Sequence, residues 1–280
     1  MSNFFKRTLT AVWIVIFVLG GFWLHPVSFF LTGLFIIAGA QYEYYMMIKE
    51  TGIKPQIPGG MFTGLTLYTI STLVAAGFLP GKSFLYLIPL TVIIMVIELF
   101  RKEEKPFDSL AHTFLAVIYI AFPFSLFPFS AYSRTGLDSL LAHNGITFSP
   151  GVVIGFFLLL WANDTGAYLT GVTIGRHKLM ERISPKKSWE GFSGGLLLSV
   201  FGAWLLSGWF GVVDTTMWMI AAVIISVTGT FGDLVESMLK RSLGVKDSGS
   251  VMPGHGGFLD RFDSALLSFP LLYLFISLFG

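Results

Sequence analysis

The chain has 280 residues, of which 54% are hydrophobic and 12% charged, with a formal net charge of +2 and no cysteine. A soluble domain carries about 25% charged residues, so this composition excludes an ordinary water-soluble enzyme and makes lipid the main solvent. The absence of thiols excludes a disulfide framework, a thiolate metal centre and a cysteine nucleophile.

A hydrocarbon core about 30 Å thick needs roughly 20 apolar residues per helix. Such runs recur along the whole chain and predict an all-α polytopic integral membrane protein with about nine transmembrane helices. In chain order they are 8–24, 28–48, 59–79, 83–100, 109–132, 151–175, 190–211, 216–240 and 261–279. The first follows Lys6 and Arg7 as the core of a signal peptide would. It ends in GFWLHP without a small-x-small cleavage site, so it is read as a helix. Sixteen of the eighteen Lys and Arg residues fall on the side of the N-terminus and the even-numbered loops, leaving only Lys82 and Arg134 opposite. The positive-inside rule then places the N-terminus in the cytoplasm and the C-terminus outside. Residues 1–150 read as a scaffold of about five helices. Residues 151–280 read as a catalytic region of about four, with cytoplasmic loops 176–189 and 241–260. Inverted halves, the usual transporter signature, are not evident.

Ionisable groups within spans cost several kcal/mol and mark cavities or partners. Here they are Glu43, Glu98, Asp164, Asp233 and Glu236, with Asp260 and Asp263 where the last span begins. Glu43 and Glu98 lie near span ends and are expected to reach the interface. Asp164, in WANDTGAYLTGVTIGR, is about 18 Å below Arg176 at 1.5 Å per residue. It is read either as a wall of a site or as half of a structural ion pair. Tyr168 shares its face at i+4, and Gly171 and Gly175 continue that face as positions of close helix contact. In SPKKSWEG, Ser188 stands where it could cap the next helix, though Gly191 occupies the Glu/Gln position of a capping box. Lys186 and Lys187 either follow the positive-inside bias or bind a triphosphate.

The eighth span ends TGTFGDLVESMLKR. Asp233, Glu236, Ser237 and Lys240 fall at i, i+3, i+4 and i+7, one helix face. Asp233 would lie roughly 10 Å below the cytoplasmic boundary. It is read either as a ligand for a hard cation that holds a phosphate oxygen or as half of a buried Asp–Lys pair. The next stretch is KDSGSVMPGHGGFLDRFD, residues 246–263. Its Pro253, Gly254, Gly256 and Gly257 permit turns whose N–H groups can form an anion-binding nest. His255 faces a ligand or holds the turn. Asp260 is a ligand or a helix cap. Two acids from neighbouring helices, a glycine nest and several bases suggest phosphate plus a divalent metal.

The pattern S-x-x-K-R-x4-K-D-x-G-x3-P-G-H-G-G-x2-D-R-x-D is made here by Ser237, Lys240, Arg241, Lys246, Asp247, Gly249, Pro253, Gly254, His255, Gly256, Gly257, Asp260, Arg261 and Asp263. It resembles the signature of the phosphatidate cytidylyltransferases, or CDP-diacylglycerol synthases. TFGD, NDTGAY and SPKKSWEG look like that family too, so the resemblance covers about 155–265. It implies the reaction of CTP with phosphatidate to give CDP-diacylglycerol and pyrophosphate. It further implies a homodimer in the inner membrane, a site facing the cytoplasm, and Mg²⁺ with K⁺ as a second ion, held by Asp233 and Asp260.

On that reading Lys240, Arg241, Lys246 and Arg261 neutralise phosphates of both substrates. The turn from Gly254 through Gly256 to Gly257 cradles the triphosphate, and Lys186, Lys187 and Ser188 close the cavity. Asp164, Glu236 and Ser237 are placed with the substrate, and Asp247, His255 and Asp263 with the chemistry. Membrane lipid is a partner and nucleic acid is not. A CTP-dependent polyprenol or phytol kinase is the nearest alternative. A cation-coupled transporter, with Asp164 and Asp233 carrying ions, and a non-catalytic lipid-binding scaffold rank below it.

Overall fold

The computed structural model describes residues 3–134, 145–209, 213–245, 248–249 and 257–280. The chain divides into two compact units, 1–150 with 247–261, and 151–246 with 262–280.

The first unit begins with α1 (Asn3–Trp23) and α2 (Pro26–Glu50). His25 caps the start of α2. Its Nδ1 accepts from the Val27 amide, while the Ser28 hydroxyl accepts from the His25 amide. Pro26 at the first helical position has no amide proton to leave unpaired. Next come α3 (Ile57–Ala75), a 3-10 turn (Gly81–Tyr86) that runs into α4 (Leu87–Arg101), and α5 (Pro106–Ala116). The span expected over 109–132 is present as the continuous stretch Pro106–Ala131, though its helix is not regular throughout. After α5 the chain makes a π-turn (Val117–Ala121), then the short helices α6 (Phe122–Ser125) and α7 (Phe127–Ala131). Pro123 and Pro128 cannot donate to the helical ladder, and the wider π-turn absorbs the break. Strand β1 (Tyr132–Arg134) pairs antiparallel with β2 (Ile146–Phe148).

Aromatic side chains fill this unit, with Phe29, Tyr44, Tyr45, Tyr68, Phe124 and Phe127 all buried. Two of the buried phenols find carbonyls. Tyr45 donates to Thr113 at 2.8 Å and Tyr68 to Phe29 at 3.2 Å, as buried hydroxyls must. Glu98 does not reach the interface as expected. It is 3% exposed, pairs with Arg101 at 2.9 Å and accepts from Gln56. Arg101 stands one turn further on, so the i, i+3 spacing lets the cation come to the buried acid.

The second unit holds α8 (Gly151–Ile174), β3 (Lys178–Met180) paired antiparallel with β4 (Ser184–Ser188), α9 (Trp189–Ser207), α10 (Thr215–Ser242) and α11 (Asp263–Phe279). The two hairpins correct the all-α expectation. Short strands between polar turn residues leave no long periodic signal in a helical sequence. Ser188 caps α9, accepting from the Gly191 amide at 3.1 Å, and Asp214 caps α10 through the Met217 amide at 2.8 Å.

Glycines bring α8 and α9 together. A Cβ on Gly166 would lie 2.8 Å from the Gly194 carbonyl oxygen, and one on Gly195 would lie 2.6 Å from that of Asn163. In lipid such close backbone approach supplies much of the helix–helix attraction.

Six helices among the described residues are long and apolar enough to cross a membrane: Ile57–Ala75, Gly81–Arg101, Pro106–Ala131, Gly151–Ile174, Trp189–Ser207 and Thr215–Ser242. Asp263–Phe279 is a shorter apolar helix, and the stretch Val12–Trp23 of α1 is apolar too. Large apolar side chains lie open along these helices, such as Leu99, Phe100, Leu197, Phe201 and Trp204. In water they would be a liability; in a bilayer they are the solvated surface. The protein is a polytopic, mostly helical membrane protein.

Candidate active site

Within the second unit, α8, the β3–β4 hairpin, α9 and α10 enclose a hollow of about 300 Å³. Asp164, Tyr168, Lys186, Lys187, Ser188 and Asp233 line it. All six were singled out in the sequence, five as site residues and Tyr168 as the neighbour of Asp164. The central contact is an ion pair: Lys187 Nζ lies 2.7 Å from Asp233 Oδ2. Lys187 also donates to the Thr230 carbonyl at 3.3 Å, and Ser237 donates to Asp233 Oδ1 at 3.2 Å. The Asp–Lys pair weighed for α10 therefore joins the helix to the hairpin. Within α10 itself the pair is Glu236 with Lys240 at i, i+4, with Glu236 fully buried.

Gly232 sets the approach of α11 to this place. A Cβ there would lie 2.8 Å from the Asp263 carbonyl oxygen and 3.0 Å from Ser264 Cα. The first residue of α11 is thereby brought beside Asp233. Asp164, Asp233 and Asp263 are close enough for their charges to act on one another, with Lys187 the cation acting on Asp164 and Asp263 as well. Asp164 lines the hollow and enters no salt bridge among the described residues, which favours the site-wall reading. No set of three His, Asp or Glu side chains among the described residues could hold a metal ion alone. A hard cation here would take other ligands from water or phosphate, as Mg²⁺ ordinarily does.

Glu190, within SPKKSWEG, is not among the expected site residues. Its Oε2 accepts from the Arg176 amide at 3.0 Å and the His177 amide at 3.2 Å, and its Oε1 meets His177 Nδ1 at 2.6 Å. The first turn of α9 thus holds the base of the hairpin that carries Lys186 and Lys187. Its signal was an acid two residues after a capping serine, facing a loop rich in bases.

In the first unit, Asp260 lies in a 3-10 turn, Leu259–Arg261. It does not cap α11, which starts at Asp263 behind Phe262 with no side-chain cap. Instead Asp260 Oδ2 accepts from the Gly257 amide at 2.8 Å and the Ser248 amide at 3.3 Å. The Gly257 amide, assigned to a triphosphate cradle, is engaged by Asp260. Glu43 contradicts its expectation as well. It is 3% exposed and accepts from Ser248 Oγ at 2.8 Å and from the Phe258 and Leu259 amides at 2.7 Å each. The available signal was helical period: Ile36, Ala40, Glu43 and Met47 make one stripe of α2, and all four are buried.

Arg241, Arg261 and Lys186 are exposed. Lys246, Asp247, Gly254, His255 and Gly256 lie outside the described residues.

Fold and site define a polytopic membrane protein with carboxylates and lysines gathered in a hollow among its helices. The chain belongs to the cytidylyltransferase family, whose model matches residues 5–279. It is similar to a phosphatidate cytidylyltransferase of Staphylococcus haemolyticus (strain JCSC1435), 34% identical over 278 residues, covering 96% of this chain and 98% of that protein. It is also similar to phosphatidate cytidylyltransferases of Staphylococcus aureus (strain COL) and Staphylococcus epidermidis (strain ATCC 12228 / FDA PCI 1200). These are 38% and 36% identical over 185 residues, each alignment covering 65% of this chain and 71% of the relative.

Proposed function

We propose that this membrane protein is a nucleotidyltransferase making CDP-diacylglycerol and pyrophosphate from CTP and phosphatidate. Its family membership sets the class of reaction. The observation that carries the reading to a place in the chain is the Asp233–Lys187 pair in the wall of a helix-lined hollow.

The chemistry needs little from a base. Phosphatidate is a phosphate monoester with a second pKa near 6, so it is largely a dianion at neutral pH. One of its oxygens bonds to the α-phosphorus of CTP as the α–β bridge breaks, and the electron pair leaves with pyrophosphate. The barrier is the approach of two anions and the charge on the leaving group.

Lys186 and Lys187 meet phosphate charge in the hollow, with Lys187 aimed by Asp233 and the Thr230 carbonyl. Arg241, Lys246 and Arg261 add positive charge in the signature segment, and Lys240 does so while tied to Glu236. Ser188 shapes the wall by capping α9. The carboxylate of Asp233, with the charges of Asp164 and Asp263 near it, suits a hard cation that would take its remaining ligands from water and phosphate. On the family pattern Asp233 and Asp260 would hold Mg²⁺, with K⁺ as a second ion. Bound there, Mg²⁺ neutralises phosphate charge.

The finer architecture belongs to the same proposal: nine crossings in the inner membrane, a cytoplasmic N-terminus and site, and a homodimer. On this reading α1, α2 and α11 would be three crossings beyond the six long apolar helices, and the Lys/Arg asymmetry supports the orientation.

The test is to incubate purified protein with phosphatidate, Mg²⁺ and each nucleoside triphosphate in turn. CTP should yield pyrophosphate and a CDP-lipid in equal amounts. CDP with a newly phosphorylated lipid would instead show a kinase and overturn the reading.

A further inference from the structure

Glu43 is a buried carboxylate in the unit that carries no part of the Asp233 hollow. Among the described residues no salt bridge reaches it. A buried charge persists only when hydrogen bonds replace its hydration. Its three donors all come from the signature segment, Ser248 Oγ on one side and the Phe258 and Leu259 amides on the other. One side chain of α2 therefore gathers both described ends of that segment.

The neighbours are built around this carboxylate. A Cβ on Gly249 would lie 2.5 Å from Glu43 Oε1, and one on Gly257 would lie 2.6 Å from Glu43 Oε2. Two glycines of the signature thus have a reason unrelated to a phosphate nest: any larger residue would displace the acid. Phe258 adds an apolar mooring. Its ring meets Phe35 edge-on at 5.6 Å, and a Cβ on Gly39 would come within 3.0 Å of it.

The donors are divided between two acids. Glu43 takes the Ser248 hydroxyl and the Phe258 and Leu259 amides, while Asp260 takes the Ser248 and Gly257 amides. Without Glu43, three buried donors would lose their acceptor, and Asp260, which follows Leu259 directly and already accepts from the Ser248 amide, is the carboxylate beside them. We infer that Glu43 is a positioning residue, whose carboxylate holds Ser248 and the Phe258–Leu259 turn so that Asp260 keeps the orientation the reaction requires. It touches no substrate and acts through Asp260. The inference rests on the cytidylyltransferase reading for its catalytic consequence, but not for the mooring itself.

The experiment compares full-length wild type with Glu43→Gln, Glu43→Asp and Glu98→Gln, the last a buried acid of the same unit with no tie to the signature. Glu43→Gln presents an NH₂ group to donors and should lower kcat per folded molecule about tenfold or more, on the scale of lost charge-assisted hydrogen bonds. It should also raise the Mg²⁺ concentration for half-maximal rate several-fold, leave the phosphatidate KM near wild type, and speed amide exchange at Phe258 and Leu259. Glu43→Asp, which keeps the charge, should recover part of the rate. Glu98→Gln should lower the melting temperature and leave kcat per folded molecule and the Mg²⁺ midpoint unchanged. If Glu43→Gln fails to fold, Ser248→Ala removes one donor and should shift the Mg²⁺ midpoint the same way. A kcat and Mg²⁺ midpoint within twofold of wild type, or losses in Glu43→Gln that merely track unfolding as in Glu98→Gln, would overturn the inference. A wild type inactive on CTP and phosphatidate would overturn the functional reading instead, while unchanged exchange at Phe258 and Leu259 in Glu43→Gln would overturn the mooring.

Discussion

Asp233 holds two partners of different kinds, the Lys187 ammonium and the Ser237 hydroxyl. Its side chain is 35% exposed and that of Lys187 24%. Partly exposed pairs add little to stability, so their chemistry and their structural worth separate cleanly. Asp233→Asn should abolish CTP turnover, by at least about a hundredfold where a charged group acts on phosphate, with the melting temperature close to wild type. Near-normal turnover would remove Asp233 from the site. Lys187→Gln should raise the CTP KM and lower kcat, and Lys187→Arg should restore only part, because a planar guanidinium does not replace a compact ammonium. Glu98 behaves in the opposite way. Glu98→Ala leaves Gln56 without its carboxylate acceptor while Arg101 keeps Glu103, so it should lower stability by about 1–3 kcal/mol without altering kinetics per folded molecule.

At the scale of elements, the hollow depends on contacts that admit no side chain. Gly166, Gly194 and Gly195 let α8 and α9 meet backbone to backbone, which places Asp164 opposite the hairpin. Gly195→Leu would force the helices apart. It should cost at least about 1–3 kcal/mol, the usual scale of overpacking, and reduce turnover with it. Thermal unfolding in detergent and the pyrophosphate assay read the two effects. The hairpin is held differently, by Glu190 gathering the Arg176 and His177 amides. Glu190→Ala should leave the helices intact and raise the CTP KM, since Lys186 and Lys187 would lose a fixed base. An unchanged KM would show that the hairpin is held elsewhere.

For the whole molecule the charge distribution makes a direct prediction. The chain has no cysteine, so single cysteines report sidedness without background. Lys82→Cys should react with an impermeant maleimide from outside intact cells and Lys186→Cys only after the membrane is opened. The reverse pattern would invert the orientation. Much of the molecule is legible in its sequence. Long apolar runs announced the helices, because a bilayer demands continuous apolar length. The acids of α10 and the lysines before α9 announced the hollow, because charge within spans is costly without a purpose. The β-hairpins were not legible, since three to five residues carry too little periodicity. The interruption of 109–132 had its prolines in plain view, but hydropathy alone does not register a missing amide donor.

The residues of α2 show where sequence ends. Glu43 and Glu98 look alike in one dimension, each an acid near the end of an apolar run. Folding gives one an arginine from its own helix and the other three donors from a segment some two hundred residues away along the chain. By itself the sequence determined the solvent, the helical class, the family and the charged residue types that line the hollow, because those follow from composition and local spacing. Only tertiary structure decided that Lys187, and not Lys240, pairs with Asp233, and that Glu43 holds the signature segment, because a buried charge is settled by whichever partner the packing brings within hydrogen-bond reach.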